Sequence, residues 1–401
     1  MTMTVNIYTG KRLQMDSSIT VKYLLSATQG RISRRITAIV LAAVFAVFPM
    51  TAPASVVSDL AASMLPGEWK EVPQGSSFGG GSIFIPAGGS GNLIEYMVEA
   101  QRNPFTKKIY LIGCAKGAAA QNYRCGSSTT DPDAKFVVYD EATNSWAEMP
   151  SAPISTFPHT YDHAALDPDT GDYYFREDHN KAIWRYTGGQ WIKLPPAPNL
   201  GSEPGSNAAE FFPELGGLVV PNPRNNSGEI YLYTVASNSW SIIPDDFAGD
   251  SLQFTEYNPV HKFLYFGGGL GAESHLYKLG ANKKVTRLAD APAPLGIADC
   301  ASLQATDPLT GKLVVFSCPD NSTYEYDPSS NSWKKTGTHA LVDPFNRLRA
   351  ASVPLNDYGV IFVAVNTSDG KGKIYLYKHT AGSPPPPDTT PPAVPSNSKV
   401  K

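Results

Sequence analysis

The stretch YDEATNSWAEMP, Tyr139 to Pro150, returns as YTVASNSWSIIP at Tyr233 to Pro244 and as YDPSSNSWKKTG at Tyr326 to Gly337. Each copy reads as an aromatic strand end, a short polar turn on Asn-Ser, and a second strand that opens with Trp. That is a β-hairpin, repeated along the chain.

The Trp strands extend the pattern. Trp69 (WKEVP), Trp146 (WAEMP), Trp191 (WIKLP), Trp240 (WSIIP) and Trp333 (WKKTG) share one motif, with Val285 (VTRLA) as a degenerate copy. After a first interval of 77 residues the spacing is 45 to 49. Such a period marks a β-propeller, one sheet per repeat around an axis. Immunoglobulin-type tandems would need repeats of about 100 residues.

A second series is independent of the first. NPFTKK at Asn103, DPDTGD at Asp167, FPELGG at Phe212, NPVHKF at Asn258, DPLTGK at Asp307 and LNDYGV at Leu355 are turn sequences. In most of them Pro presets φ, and Gly or a polar residue accepts the bend. Each precedes an apolar run that reads as a strand, such as VIFVAV. The two series are out of phase: Trp69 precedes every turn, and the last repeat ends at KIYLYKHT, Lys373 to Thr380, without a Trp strand. Placing the Trp69 strand beside that run closes a ring and removes two exposed edges. The expected fold is therefore all-β, a six-bladed propeller of four-stranded antiparallel blades over residues 66–380.

The 401 residues are 42% hydrophobic and 17% charged, with a formal net charge of −3. No basic field points to nucleic acid, which is excluded as a partner. Arg31, Arg34 and Arg35 precede an apolar run from Ile36 to Phe48, and Ala52-Pro53-Ala54 reads as a cleavage site. The run is too short for the ~20 residues of a membrane span. Residues 1–54 are thus expected to be an N-terminal extension and signal peptide, with Met15 as an alternative start. The mature chain, secreted or periplasmic, carries no expected membrane span and is expected to be a monomer. Residues 381–401 form a Pro-rich linker, and DTTPPAVP looks like the linker that precedes fibronectin-like modules in secreted bacterial proteins. A longer chain is the expectation there.

Export permits disulfides. Cys300 and Cys318 flank the turn DPLTG symmetrically, so they are expected to face each other across a hairpin, within bridging distance. Cys114 and Cys125 bracket a short loop, whose closure would contribute about 3 kcal/mol. No CxxC or His stands at ligand spacing, so no metal site is expected at the cysteines. DPDTGD imitates a Ca²⁺ loop, but NPVHKF and DPLTGK occupy the same turn without its acids, which favours the turn reading. The sequons at Asn225, Asn321 and Asn366 matter only in a eukaryotic secretory route, and signal and linker look bacterial. GGGS at Gly79 and GGSG at Gly88 lack the strand-to-helix setting of a phosphate cradle.

The Tyr-x(6)-Trp hairpin, Gly267-Gly268 after a second strand, and Arg347-Leu348-Arg349-Ala350-Ala351-Ser352 opening the last blade resemble the kelch repeat, across nearly the whole exported chain. The paired glycines stand out in one blade alone. The resemblance implies a propeller of the kelch and galactose-oxidase type. The copper radical oxidases of that type need a Tyr-Cys cross-link, two His and a second Tyr. Here the four cysteines have partners in each other, so no cofactor is expected.

In an up-and-down blade the short turns lie on one face of the disc, and the long, variable loops on the other. Variable loops on a fixed scaffold are where binding concentrates. First strands begin on that face, at the mouth of the central channel. Aligned by their turns, they offer Glu95 and Glu99; His159, Tyr161, Asp162 and His163; Asn207; Gln253 and Glu256; Asp299; Arg347 and Arg349. His163, followed by Ala164-Ala165, matches a structural His of kelch repeats. The ring is polar and of mixed sign, which suits a binding or interaction module for an extracellular glycan or protein. The alternative is a carbohydrate-active enzyme such as a polysaccharide lyase, with Tyr161 or His163 as base and Arg347 and Arg349 neutralising a uronate. Whether the chain is an enzyme stays open at this level.

Overall fold

The computed structural model describes residues 55–73, 93–94, 97–114, 134–150, 152–154, 160–177, 182–198, 208–222, 228–244, 247–248, 252–270, 273–296, 302–339, 341, 350–366 and 372–382. The expectations on residues 1–54 and 383–401 lie outside them.

Among the described residues, twenty-four strands form six four-stranded antiparallel sheets. Blade one is β2 (Gln101–Asn103), β3 (Lys108–Cys114), β4 (Ala134–Asp140) and β5 (Ser145–Glu148). Blade two is β6 (Ala164–Leu166), β7 (Tyr173–Arg176), β8 (Ile183–Thr187) and β9 (Gln190–Lys193). Blade three is β10 (Glu210–Phe212), β11 (Gly217–Asn222), β12 (Glu229–Thr234) and β13 (Ser239–Pro244), and blade four is β14 (Phe254–Asn258), β15 (Phe263–Gly267), β16 (Leu276–Gly280) and β17 (Val285–Arg287). Blade five is β18 (Leu303–Thr306), β19 (Leu313–Phe316), β20 (Ser322–Asp327) and β21 (Ser332–Thr338). Blade six takes β22 (Ala350–Leu355), β23 (Val360–Asn366) and β24 (Gly372–Tyr377), and its fourth strand is β1 (Trp69–Glu71). Trp69 pairs with Tyr377 and Glu71 with Tyr375, so the ring closes as the out-of-phase repeats require. Each first strand touches the first strands of both neighbouring blades, which sets β2, β6, β10, β14, β18 and β22 around the axis.

The core lies between the blades. Six apolar clusters are each shared by two adjacent sheets. Alternate residues of β11 serve different clusters: Leu218 and Val220 pack toward blade two, Val219 toward blade four. A strand buried on both faces needs apolar residues at successive positions, which is why the inner runs are continuously apolar instead of alternating.

The repeated hairpin shows its chemistry here. Tyr139, Tyr233 and Tyr326 stand opposite Trp146, Trp240 and Trp333, with ring centroids 5.2, 5.3 and 5.2 Å apart. Each Tyr hydroxyl donates to the turn asparagine Oδ1 at 2.7 Å, on Asn144, Asn238 and Asn331. Those asparagines hold φ of 48°, 49° and 49°, the left-handed region that Asn tolerates better than most residues. The Trp240 indole donates to Pro195 O at 2.8 Å and that of Trp333 to Ala289 O at 2.9 Å, both just past the preceding blade's last strand. The motif thus builds its own turn and fastens one blade to the next.

One element was not anticipated. Helix α1 (Val56–Ala62) is opened by a capping box of Ser55 and Ser58 and buries Val57 and Ala61 against blades six and one. Packed structure therefore begins before residue 66. The β18–β19 ladder ends at the Leu303 and Phe316 pair, so Cys300 and Cys318 both lie beyond it. No free cysteine is found among the described residues. Cys125 and Cys300 lie outside them, so both bridges remain proposals. No helix among the described residues is long and apolar enough to cross a membrane.

Candidate functional site

The first strands come close enough at the axis to bond directly. Val98 N donates to Tyr161 O at 3.2 Å, Ala100 N to Ser352 O at 2.9 Å, and Ala209 N to Asp162 O at 2.8 Å. Short parallel bridges, Met97 with Tyr161 and Glu99 with Ser352, join blade one to blades two and six.

Four carboxylates gather at this axis, one from each of blades one to four. Asp162 is 1% exposed and Glu210 and Glu256 are each 6% exposed, while Glu99 is half-buried. Backbone amides hold three of them. Asp162 Oδ2 accepts from Thr255 N, Glu210 Oε1 from Phe211 N at 2.7 Å, and Glu256 Oε1 from Thr306 N at 2.9 Å. Glu99 Oε1 accepts from the Gln101 amide. Glu99 also bonds to Asp162 and to Glu210, acid to acid.

Burial pushes all four up, because a charged carboxylate is poorly solvated there. Asp162 rises to about 6, although bonds from Glu99 and Thr255 oppose the shift. Glu256 rises to about 8, with the charge of Asp162 adding to burial. Glu99 and Glu210 lie well above the ordinary range, through burial first and then repulsion within the group. Arg102 stands nearby and is already engaged: its Nε meets Glu141 Oε1 at 2.6 Å and its Nη2 meets Asp357 Oδ2 at 3.2 Å. Burial alone would weaken its charge, and Glu141 with Asp357 hold it firmly protonated.

A cavity of about 170 Å³ opens over this group. Residues from five blades line it, and Pro104, Pro168, Pro259 and Asn356 belong to the turns that follow the first strands. The opening is therefore on the face of the short turns. A second, inner chamber of about 10 Å³ shares Glu99 and Glu256 with it and adds Asp162 and Gln304. A groove of about 740 Å³ lies at the periphery between blades two and three. Its arginine, Arg185, is committed to Asp172, and its Lys193 lies over Trp184, so its charged groups are already used within the scaffold.

Of the residues singled out in sequence, Asp162 and Glu256 meet here, joined by Glu99. Gln253 is buried with neither amide atom partnered among the described residues. His163 is 1% exposed, and its ring meets that of Tyr161 edge-on at 5.8 Å. Glu95, His159, Asn207, Asp299, Arg347 and Arg349 lie outside the described residues, and with them much of the long-loop mouth. Glu210, Gln304, Gln101 and Arg102 were missed. A register comparison could have found Glu210: EFFP at Glu210 and EYNP at Glu256 place Glu three residues before the turn proline, and QRNP at Gln101 puts Gln there.

DPDTGD is a turn whose lead acid serves its own backbone. Asp167 accepts from Asp169 N at 2.9 Å and Thr170 Oγ1 at 2.7 Å, as Asp307 accepts from Thr310 N at 3.1 Å. Asp172 is held by Arg185. Among the described residues no group of three or more His, Cys, Asp or Glu is placed to hold a metal ion.

No family model matches the chain, and no curated protein matches it. Among solved structures it is similar to the nidogen/laminin complex, at 10% identity and a TM-score of 0.43, over 60% of this chain and 80% of that one. It is also similar to a structural-genomics protein of unknown function from Bacteroides thetaiotaomicron, at 9% identity and a TM-score of 0.48, over 80% of this chain and 74% of that one. Neither likeness carries an argument about ligand or activity; the fold rests on the six sheets themselves.

Proposed function

We propose that this chain is an exported binding module, a monomeric kelch-like propeller with disulfides Cys114–Cys125 and Cys300–Cys318, which takes an extracellular glycan or protein at its central channel. The observation that supports this most is the turn-side cavity. Five blades supply its walls, and in the inner chamber that shares Glu99 and Glu256 with it the buried Gln304 amide has no partner among the described residues. Concave sites with a few convergent polar groups are where ligands bind. The long-loop mouth expected from the sequence, with His159, Asn207, Asp299, Arg347 and Arg349, would be a second entrance; these five lie outside the described residues.

Capture of ligands from a glycan array and from an extracellular protein extract tests the proposal, using the full chain and two variants. Asn356→Trp plugs the turn-side rim at an exposed position. The double variant Arg347→Ala with Arg349→Ala alters the other mouth. Loss of capture in one variant assigns the entrance; capture unchanged in both removes the channel from the account. Unsaturated products absorbing in the near ultraviolet from a uronate polymer would replace binding by the lyase reading.

A further inference from the structure

The balance of charge at the axis narrows the class of ligand. Glu99, Glu210 and Glu256 line the turn-side cavity, and no cation among the described residues is paired with them. The cavity's arginine is saturated by Glu141 and Asp357. An anion would meet these carboxylates and a rim of Pro104, Pro168, Pro259 and Pro354, whose ring nitrogens offer no N–H to hold it.

An independent observation lies deeper. Gln304 is 6% exposed, neither its side-chain oxygen nor its nitrogen has a partner among the described residues, and it lines the inner chamber beside Glu99 and Glu256. A buried amide left unpaired costs roughly 1–3 kcal/mol, which a bound group would recover. The chamber volume of about 10 Å³ is close to one water-sized group. A planar guanidinium or a quaternary ammonium is too large for it, and an ammonium is not. An ammonium also brings three donors, no acceptor and a positive charge, so its entry displaces the protons that burial holds on these acids and meets the carboxylates and the amide oxygen so exposed.

We propose that the channel binds a primary ammonium on a slender alkyl stem, as in a lysine side chain, admitted between the turn prolines and past Glu210, with its head in the inner chamber among Glu99, Asp162, Glu256 and Gln304. The stem would run past the proline rim, where carbon needs no hydrogen-bonding partner. This rests on the binding role proposed above and specifies its ligand.

Calorimetric titration of the full chain with Nα-acetyl-lysine N-methylamide, and with the same compound acetylated on Nε, tests it directly. The charged probe is expected to bind and the neutral one to fail. Asp162→Asn and Glu256→Gln should each weaken the charged probe about tenfold to a hundredfold, the range for one charge-assisted hydrogen bond. Should either variant prove unfolded by thermal melting, the exposed Asn356→Trp plug serves instead and should abolish binding. Glucosamine against glucose forms a second arm, and preference for glucosamine over the lysine probe would overturn the slender stem. Equal affinity for charged and neutral probes, or no binding of the charged one, overturns the ammonium assignment. If a neutral or acidic ligand is captured meanwhile and lost in Asn356→Trp, the binding module stands and the ammonium does not. If nothing captured responds to the plug, both fall.

Discussion

The outer hairpins and the inner strands solve opposite problems with the same blades. At the rim, Tyr, Asn and Trp recur in one geometry: in blades three and five each hydroxyl and indole N–H has its partner within 2.7 to 2.9 Å. At the axis, equivalent strands carry different residues. Four acids gather there, and the buried amides of Gln253 and Gln304 are left without partners among the described residues. A closed hydrogen-bond set stabilises, whereas an open one costs stability unless something else completes it. The rim is thus built for the ring and the axis for a ligand.

The sharpest way to break that contrast is to remove a ring from the blade interface. Tyr326 is fully buried between blades four and five, and Tyr326→Ala should cost about 3–5 kcal/mol in denaturant unfolding. A loss under 1 kcal/mol would mean the rim is not what binds the blades.

Next in size is the pH dependence of the axis. Glu256 titrates near 8 when folded against an ordinary 4.5, and Asp162 near 6 against 3.8. The folded state therefore holds protons that the unfolded chain has released. Their contribution to stability is greatest below pH 4 and is lost as pH rises toward 8, by a few kcal/mol in order of magnitude. Melting temperature against pH should show that slope, and Glu256→Gln should flatten its upper part. A profile that rises over the same interval would contradict the burial of these acids.

Smaller effects sharpen the rim. Asn238→Ala forfeits both the left-handed turn and the Tyr233 acceptor, and about 1–2 kcal/mol is expected. Tyr233→Phe keeps the ring and loses only the hydrogen bond, for about 0.5–1.5 kcal/mol. If the two variants proved equal, the turn conformation would contribute nothing and the bond everything.

What could be read from sequence follows the same division. The surplus Trp strand at the start and the missing one at the end placed β1 in blade six, because repeats of one period can be counted and a deficit located. The blade pattern was legible because every blade must satisfy the same packing. Asn in the NSW turn looked like ordinary turn chemistry; its bond to a Tyr five residues earlier needs the hairpin register to be seen. Glu210 went unnoticed because an isolated Glu in a first strand has no periodic partner until EFFP and EYNP are aligned. Gln304 carries no signal at all, since only an enclosed chamber distinguishes it from a surface glutamine. Helix α1 is too short for hydrophobic periodicity to reveal it.

Ring closure by β1 also fixes an order of events during synthesis. Residues 69–71 leave the ribosome before every other described strand, yet their partners at Tyr375 to Tyr377 belong to the last one. Until then blade six has three strands at most, and the Trp69 segment has no sheet to join. The inner ring is completed only when the final blade supplies β22. A nascent chain arrested before residue 372 would hold five whole blades and an open seam, its Trp69 accessible to quencher. Release past residue 377 would pack that ring against Phe316 and Tyr377 in a single step.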